Sequence, residues 1–384
     1  MTLGLPRRTM EMPPVRYQLG SFPPGNLDWP QLVPLLGPAS AAIARYDGAL
    51  AAVPNPMVLL SPLTTQEAVL SSKIEGTQAT MGEVLEFEAG VKPDEKTQGT
   101  KLADIQEVIN YRKAIVYASN QLKRLPLCQR IIKETHAILL EGVRGRNKAP
   151  GAYRRIQNWI GPAGCKEEEA SYVPLPAGRL TQAMSAWEKY MHSSQPDALV
   201  QLAVLHAEFE ALHPFLDGNG RLGRMLIPLF LYDRKMLSSP TFYISAYFEE
   251  RRPEYYDRLL AVSRDGDWTG WCVFFLKALL AQGETNIGKV QVILGLYNDK
   301  KRLITEETRS PHSIRAMDFI FSRPIFNSAD FIAQAGIPES TAKRLLKALR
   351  EKGILKTLRE SAGRRPSVLA FAELLNAVEG RKVI

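Results

Sequence analysis

The sequence HPFLDGNGRLGR, residues 213–224, decides how this chain folds and what its central site contains. Upstream, apolar residues and histidines recur at spacings of three and four from Leu199 to His213, which predicts one face of a helix that ends near His213. Downstream, residues 221–237 are again helical in pattern and mostly apolar. The stretch between them, with glycines at 218 and 220, therefore predicts a tight loop between two helices.

The loop carries groups suited to a phosphate chain. The amides of Gly218, Asn219 and Gly220 open the second helix, where backbone N–H groups and the helix dipole favour an anion. Arg221 and Arg224 lie three residues apart, so both project from the same side of the first turn. Guanidinium groups there can bind phosphate oxygens in pairs.

Two further residues of the loop add chemistry. Asp217 offers an oxygen ligand for Mg²⁺, the usual companion of a polyphosphate. His213 can act as a general base because imidazole titrates near neutral pH. Each of these features, taken alone, is usually structural. Their combination within twelve residues indicates a site.

This stretch resembles the signature of Fic-domain proteins, HxFx(D/E)GNGRxxR, with every fixed position filled. The resemblance implies a mainly α fold, a Fic helical core with a β-hairpin flap. It also implies transfer of AMP from ATP to a Ser, Thr or Tyr hydroxyl of a protein target, with ATP and Mg²⁺ as cofactors. It gives His213 as the catalytic base, Asp217 as the metal ligand, Gly218, Asn219, Gly220 and Arg221 around the α- and β-phosphates, and Arg224 at the γ-phosphate. Glycine at 220, where Doc-like kinases of the superfamily carry lysine, favours AMP transfer.

A second motif lies N-terminal to this core. A capping-box pattern at Thr64 and Glu67 predicts a helix over about Thr65–Glu75, which Gly76 ends. A capped surface helix is the plain interpretation of this pattern.

The segment SSKIEG, residues 71–76, resembles the inhibitory motif (S/T)xxxE(G/N) of the same family. Ser71 and Glu75 face the same way because they are four residues apart. We expect Glu75 to pair with Arg224 and to deprive the γ-phosphate of that guanidinium.

Two segments are candidates for contact with substrates. Residues 152–174 predict a β-hairpin, and the resemblance makes it a flap that holds the target by strand addition through Tyr153, Arg154 and Tyr172. Tyr256 is the candidate for contact with the adenine ring and Tyr247 a weaker one. A decorative hairpin and buried core aromatics are the alternatives.

The C-terminal part predicts a winged helix-turn-helix (α+β). Helices are expected over residues 313–322, 328–335 and 339–352, followed by two strands. Residues 340–366 hold nine basic residues against two acidic ones, so most of the net charge of +9 lies there. This charge favours DNA as a partner through residues 313–366. Such modules also serve protein contact or dimerisation.

These patterns divide the chain into three predicted domains. Residues 1–100 form an N-terminal arm with the inhibitory helix, residues 101–289 the Fic catalytic core, and residues 290–384 the winged helix-turn-helix. Three scattered cysteines argue against a disulfide framework or a zinc site. The sequence shows neither a signal peptide nor a membrane span, so we expect a cytoplasmic protein. A homodimer is compatible with the family resemblance.

Two other functions stay open at this point. One is the reverse reaction, a de-AMPylating hydrolase in which Glu75 positions water. The other is a DNA-binding regulator whose Fic domain only senses a nucleotide, although such sensing has no need of His213. The target protein is not named by the sequence, and the chain itself is a candidate.

Overall fold

The computed structural model describes residues 13–91, 98–143, 145–363 and 365–384. These residues are mainly helical with two small sheets, which confirms the predicted fold class. They form two compact units that interleave along the sequence. The first unit holds the described residues up to Asp47, Leu70–Gln78 and Gln106–Glu284, and the second holds Gly48–Val69, Ala79–Ile105 and Thr285–Ile384. The three consecutive domains remain a prediction.

Sixteen α-helices and five strands are assigned within the described residues. The helices are α1 (Trp29–Ala51), α2 (Pro56–Leu59), α3 (Ser61–Ile74), α4 (Met81–Glu88), α5 (Gln98–Gln121), α6 (Gln129–Leu139), α7 (Leu180–His192), α8 (Ala198–Leu212), α9 (Asn219–Asp233), α10 (Ser245–Glu250), α11 (Arg252–Asp265), α12 (Trp268–Thr308), α13 (Ser313–Ser322), α14 (Ser328–Gln334), α15 (Glu339–Glu351) and α16 (Ala372–Glu379). The strands are β1 (Val15–Arg16), β2 (Tyr172–Val173), β3 (Ile325–Asn327), β4 (Lys356–Arg359) and β5 (Val368–Ala370). None of these helices combines the length and apolar character needed to span a membrane.

The proline-rich start of the chain predicts an extended arm with a short helix over about Ala39–Ala52. Helix α1 starts ten residues earlier, at Trp29. Pro34 and Pro38 lie inside it, although proline in a helix interior removes a hydrogen bond and costs about 3 kcal/mol in isolation. The helix nevertheless buries Leu32, Ile43 and Tyr46 almost completely. Tertiary packing therefore outweighs local propensity here.

The inhibitory-motif helix begins earlier than predicted, so the capping box expected at Thr64 is wrong. Helix α3 starts at Ser61, and the Thr64 hydroxyl donates to the carbonyl of Leu60 instead. The end of the helix is as predicted, since Gly76 has a φ of 99° just beyond it. A real capping box opens α4, where Thr80 and Glu83 hydrogen-bond to each other's backbone N–H groups.

Helices α8 and α9 form the core of the first unit. Helix α8 is apolar on all faces and almost wholly buried, as expected for a central helix. The Asp197 side chain caps it by accepting hydrogen bonds from the amides of Leu199 and Val200. Two buried indoles satisfy their N–H groups on its carbonyls, Trp187 on Leu205 and Trp271 on Ala203.

The predicted flap over residues 152–174 lacks the two regular strands expected for it. Its closure is an isolated antiparallel bridge between Ile160 and Tyr172, and the segment from Tyr153 to Gln157 is not a strand. Instead β2 pairs in parallel with β1 of the N-terminal arm. The predicted first strand fails because the amide of Arg154 donates to the carbonyl of Pro214, which ties this segment to the central loop.

The C-terminal part of the second unit has the elements that the sequence predicted. Helices α13, α14 and α15 come first, and β4 and β5 follow them. The three-stranded antiparallel sheet has the order β3-β5-β4. Edge-to-face contacts of Phe319 with Phe326 and Phe331 fill the space between helices and sheet. Arg364, part of the predicted basic wing, lies outside the described residues.

Replacement of Thr80 by alanine is expected to destabilise the second unit by about 1 kcal/mol, because the amide of Glu83 loses its capping acceptor. Urea unfolding should show this as a lower transition midpoint. Thr181→Ala is a matched control, since Thr181 is exposed inside α7, where alanine is the better helix former. Equal midpoints for both variants would contradict the capping role.

Candidate active site

The central loop begins with a histidine in an unusual backbone conformation. His213 caps the end of α8 with a φ of 46°, a left-handed value that is uncommon outside glycine. The buried Arg154 guanidinium stabilises this turn by donating to the carbonyls of Leu212 and His213. The direction in which the imidazole leaves the helix is therefore set by the backbone.

The loop is closed by the side chain of Asn219, a residue whose backbone amide was predicted to face the phosphates. The Asn219 amide accepts a hydrogen bond from the N–H of Phe215 and donates to the Phe215 carbonyl. Its side chain is thus committed to the loop itself, and only its backbone remains for an anion. Gly218, with a φ of 78°, forms the N-cap of α9, where the first amides lack helical partners.

The buried Arg224 guanidinium is held by the predicted inhibitory segment. Its Nε donates to Ser71 Oγ at 2.9 Å, and its Nη2 donates to the Ser71 carbonyl and to Glu75 Oε1, both at 2.7 Å. Ser71 and Glu75 of the predicted inhibitory motif therefore contact Arg224 of the loop 213–224.

The same Glu75 carboxylate lies against the start of α9. A Cβ atom at Gly220 would stand 2.1 Å from Glu75 Oε1, so only glycine leaves space for it. A carboxylate in this position lies where the loop was predicted to bind an anion.

Electrostatics favour the charged form of this pair. Burial acts to raise the pKa of Glu75, but the neighbouring Arg224 charge and hydrogen bond outweigh it and lower the pKa below its usual value. Burial lowers the pKa of the His213 imidazole to about 4. The histidine is therefore neutral at physiological pH, as a proton acceptor must be.

Asp217 is oriented by a chain of polar contacts. Its Oδ1 accepts from the Gly218 amide at 2.6 Å and lies 3.6 Å from Arg221 Nη2. Arg221 is itself buried and donates to Glu107 Oε2 at 2.8 Å. The guanidinium predicted to stand beside the phosphates is thus used to hold two carboxylates.

The donor set at Asp217 decides what kind of metal ion fits. The described residues contain no cluster of three or more His, Cys, Asp or Glu side chains able to hold a metal. Burial raises the pKa of Asp217, and Arg221 with the Gly218 amide offsets part of that shift. One carboxylate fits a magnesium ion that arrives with nucleotide phosphates, not an ion held by protein alone.

Two titratable residues near the loop were missed by the sequence analysis. His136 on α6 contacts the Asp217 carbonyl at 2.8 Å through Nε2. Glu210, one turn before His213, has a buried Oε1 without a hydrogen-bond partner among the described residues. Burial raises the pKa of Glu210 to about 8. Both occur in helical patterns, where the sequence signal indicates core packing. Only Glu210, three residues before His213, could have been found from its spacing to the motif.

The imidazole of His213 lines two pockets. The first, with about 600 Å³ of empty space that is partly open to solvent, also touches Glu75, Gly220, Arg224 and Tyr256. The second lies on the flap side, where the loop 158–165 forms most of its wall. His213 can therefore be reached from the pocket that Gly220 and Arg224 line and, separately, from the flap side.

The three flap residues face inward. Arg154 is spent on backbone carbonyls, the Tyr172 hydroxyl donates to the Ala211 carbonyl, and the half-buried Tyr153 hydroxyl donates to Gln129. In this conformation none of the three presents its polar end to a target. Of the three, Tyr172 lines the first of the two pockets beside His213. Contact of these residues with a target stays a prediction.

The two tyrosine candidates differ in position. Tyr256 lines the first pocket and its hydroxyl donates to the Ile74 carbonyl, beside the inhibitory segment. Tyr247 is not among the residues of that pocket and stacks under Arg251 instead. The pocket wall around Tyr256 is apolar, with Leu259 and Leu260, and suits a flat ring.

Known proteins are similar to this chain over about half of its length. The model of the Fic/DOC family N-terminal region matches residues 33–120, and the Fic/DOC family model matches residues 126–231. Protein adenylyltransferase Fic of Drosophila grimshawi is 26% identical over 204 residues, which cover 50% of this chain and 37% of that protein. The same protein of Drosophila persimilis is 27% identical over 168 residues, 41% of this chain and 29% of that protein.

Solved structures show the same fold at low sequence identity. A Fic family protein from Desulfovibrio desulfuricans has a TM-score of 0.56 at 19% identity, over 91% of this chain and 98% of that one. A variant of Fic-1 from C. elegans has a TM-score of 0.51 at 17% identity, over 68% of this chain and 74% of that one. The chain spans about a third of the length of the curated relatives it matches. With two family models that together cover half of its residues, the chain belongs to the Fic/DOC family.

Proposed function

We propose that this chain is a protein adenylyltransferase that moves AMP from ATP to a hydroxyl side chain of a protein, and that Glu75 inhibits it. The observation that carries the proposal is the position of His213 between two pockets, one lined by Gly220 and Arg224 and one beside the flap. A transferase needs this arrangement because the acceptor hydroxyl at the base must meet the α-phosphorus of the donor from the side opposite the leaving group. The relatives named as protein adenylyltransferases support the same activity.

The residues support a direct displacement. The neutral His213 takes the proton of the target hydroxyl as its oxygen attacks the α-phosphorus. A P–O bond to the target forms, the bond to the β-phosphate bridging oxygen breaks, and pyrophosphate leaves. The amides at the start of α9 would face the phosphates, and Arg224 would hold the γ-phosphate. Magnesium, when bound at Asp217, would neutralise phosphate charge.

The inhibitory role of Glu75 follows from competition for one site. Its carboxylate contacts Arg224 and fills the space at Gly220 that a phosphate oxygen would use. While it stays there, the triphosphate cannot adopt the posture for in-line attack. Because Ser71 and Glu75 belong to the same chain as Arg224, the inhibition would be intramolecular.

Glu75→Gly is expected to raise AMP transfer at least about tenfold, equivalent to about 1.4 kcal/mol of barrier, and His213→Ala to abolish it. Labelling of protein with α-³²P-ATP measures both. Glu249→Gly is the matched control, since Glu249 pairs at 2.8 Å with Lys73 of the same segment but not with Arg224. Unchanged labelling in Glu75→Gly would count against inhibition by this residue.

The same variants distinguish AMP transfer from the reverse reaction and from nucleotide sensing alone. A hydrolase that removes AMP would need Glu75 to position water, so Glu75→Gly would lose release of AMP from a modified protein. A regulator that only senses nucleotide would bind ATP in His213→Ala as in wild type and label nothing in any variant. The proposed transferase predicts labelling in Glu75→Gly and none in His213→Ala.

The imidazole of His213 is expected to titrate with a pKa of about 4, because burial opposes its charged form. Replacing Glu75 by glycine should move the pKa of His213 lower still, since the Glu75 charge acts to raise it. Nuclear magnetic resonance of the ring Cε1–H, assigned by its absence in His213→Ala, measures both values. A midpoint near the ordinary histidine value of 6.5 in wild type would show that the base is not desolvated.

We also propose that residues 313–366 form a winged helix-turn-helix that contacts DNA. The exposed face of α15 carries Lys343, Arg344 and Lys347, and β4 ends at Arg359. Part of this charge is neutralised, since Glu339 lies 2.6 Å from Lys343 and Glu351 lies 3.8 Å from Lys347. A cytoplasmic location and a homodimer remain predictions.

The double variant Arg344→Ala/Lys347→Ala is expected to weaken salt-dependent duplex binding and to reduce the slope of log K against log salt by about 2. Fluorescence anisotropy over a salt series with the full chain measures it. Lys301→Ala/Arg302→Ala is a charge-matched control on the exposed part of α12. Equal losses in both pairs, or no binding in wild type, would refute a DNA surface here.

A further inference from the structure

His136 joins three parts of the molecule around the central loop. It lies on α6, fully buried, and stacks on Phe215 with ring centroids 3.8 Å apart. Its Nδ1 accepts a hydrogen bond from the amide of Gly151 at 2.9 Å. Its Nε2 lies 2.8 Å from the carbonyl oxygen of Asp217.

These contacts fix the tautomer of the ring. A backbone amide can only donate, so Nδ1 of His136 must carry the lone pair. The hydrogen is then on Nε2 and is donated to the Asp217 carbonyl. The second partner, Gly151, is itself fixed, since its φ is 77° and a Cβ there would stand 3.1 Å from the Lys133 carbonyl oxygen. The donor on Nε2 is therefore set by the fold.

The accepting carbonyl belongs to the peptide unit between Asp217 and Gly218. The carbonyl and the N–H of one peptide unit point in opposite directions because the unit is planar. While His136 holds the carbonyl, the Gly218 N–H points at Asp217 Oδ1, and the two atoms are 2.6 Å apart. A rotation of this peptide unit would break both hydrogen bonds together.

The orientation of the Asp217 carboxylate is therefore set by the adjacent peptide unit of its own backbone. On its other side Arg221, anchored by Glu107, lies 3.6 Å from Oδ1. A Cβ at Gly145 would stand 2.8 Å from Asp217 Oδ2, so only glycine leaves room beside that oxygen. The orientation of Asp217 therefore depends on His136, although the ring never touches the carboxylate.

We propose that His136 is a positioning residue that locks the Asp217–Gly218 peptide unit and so aims the Asp217 carboxylate at the cation that accompanies the nucleotide. The inference rests on the proposed function, since it needs a metal–nucleotide complex at this loop. Partners that orient a metal ligand typically change metal affinity about 10–100-fold when they are removed. Replacing His136 should therefore change the affinity for the metal ion and leave the affinity for the nucleotide phosphates nearly unchanged.

The test compares metal and nucleotide binding in a Glu75→Gly parent. Mn²⁺ bound with a non-reactive ATP analogue is measured by electron paramagnetic resonance, and binding of the analogue alone is measured in EDTA. His136→Phe keeps the ring stacking but removes both hydrogen bonds. It should weaken Mn²⁺ at least about tenfold and change metal-free analogue binding less than about twofold.

Two further variants separate positioning from general damage. His136→Gln retains a neutral N–H donor and should recover most of the Mn²⁺ affinity. Trp187→Phe also removes a buried hydrogen bond from a ring to a carbonyl, that of Leu205, and should leave Mn²⁺ affinity unchanged. Equal loss of metal and metal-free binding in His136→Phe, or no loss of either, overturns the inference.

A measurement on the parent itself guards against a variant that does not fold. The imidazole ¹⁵N spectrum should show His136 as the neutral tautomer with hydrogen on Nε2, with and without the metal–analogue complex. A hydrogen on Nδ1 would contradict the inference. A parent that binds no metal–analogue complex would refute the proposed function, and the inference with it, whereas a parent that binds normally leaves His136 alone in question.

Discussion

The structure depends on one buried guanidinium. Arg224 is 1% exposed, and a charge removed from water to this extent needs an anionic partner. In the described structure that partner is Glu75, and Ser71 accepts two further hydrogen bonds from the guanidinium. Removing the glutamate leaves the charge unpaired, a state that a phosphate oxygen would relieve. In the proposed function, affinity for nucleotide and inhibition by Glu75 would therefore have the same physical origin.

Around this pair, the central loop is rigid because its polar side chains bond to backbone. Asn219 closes the loop on Phe215, Arg154 holds the last carbonyls of α8, and His136 holds the carbonyl of Asp217. Side-chain locking of this kind keeps functional groups in place without help from a ligand. The Nδ1 atom of His213, by contrast, has no hydrogen-bond partner among the described residues.

Much of this could be predicted from sequence because the motif is local. The residues of the loop 213–224 and of the segment 71–76 are adjacent in sequence, so each motif can be recognised without knowing the fold. The pairing of Glu75 with Arg224 was expected from them. The roles of Asn219, Arg221 and Arg154 could not be predicted, since each depends on a partner distant in sequence or on the shape of the backbone. Arg221, for example, is directed to Glu107, 114 residues away.

The secondary-structure predictions that were wrong also depended on contacts between residues distant in sequence. The strand expected at Tyr153–Gln157 had the right composition, but strands require partners, and that of β2 is β1 of the N-terminal arm. The early start of α1 and α3 reflects burial, which overrides proline and capping signals. His136 and Glu210 lie in helical patterns with apolar residues, and such periodicity indicates which residues are buried but not which have a chemical role.

The parallel pairing of β1 with β2 has a consequence for any segment that approaches the flap. Tyr172 is bridged on one side by Val15 and on the other by Ile160, so its strand is already flanked by the chain itself. The hydroxyl of Tyr17, two residues farther along the arm, donates to Glu208 at 2.6 Å and anchors that arm to α8. A target segment could therefore pair with the strand at Tyr172 only if the N-terminal arm first dissociated from it. With the arm in place, a target that contacts the flap would meet its exposed side chains, among them Ile156 and Trp159.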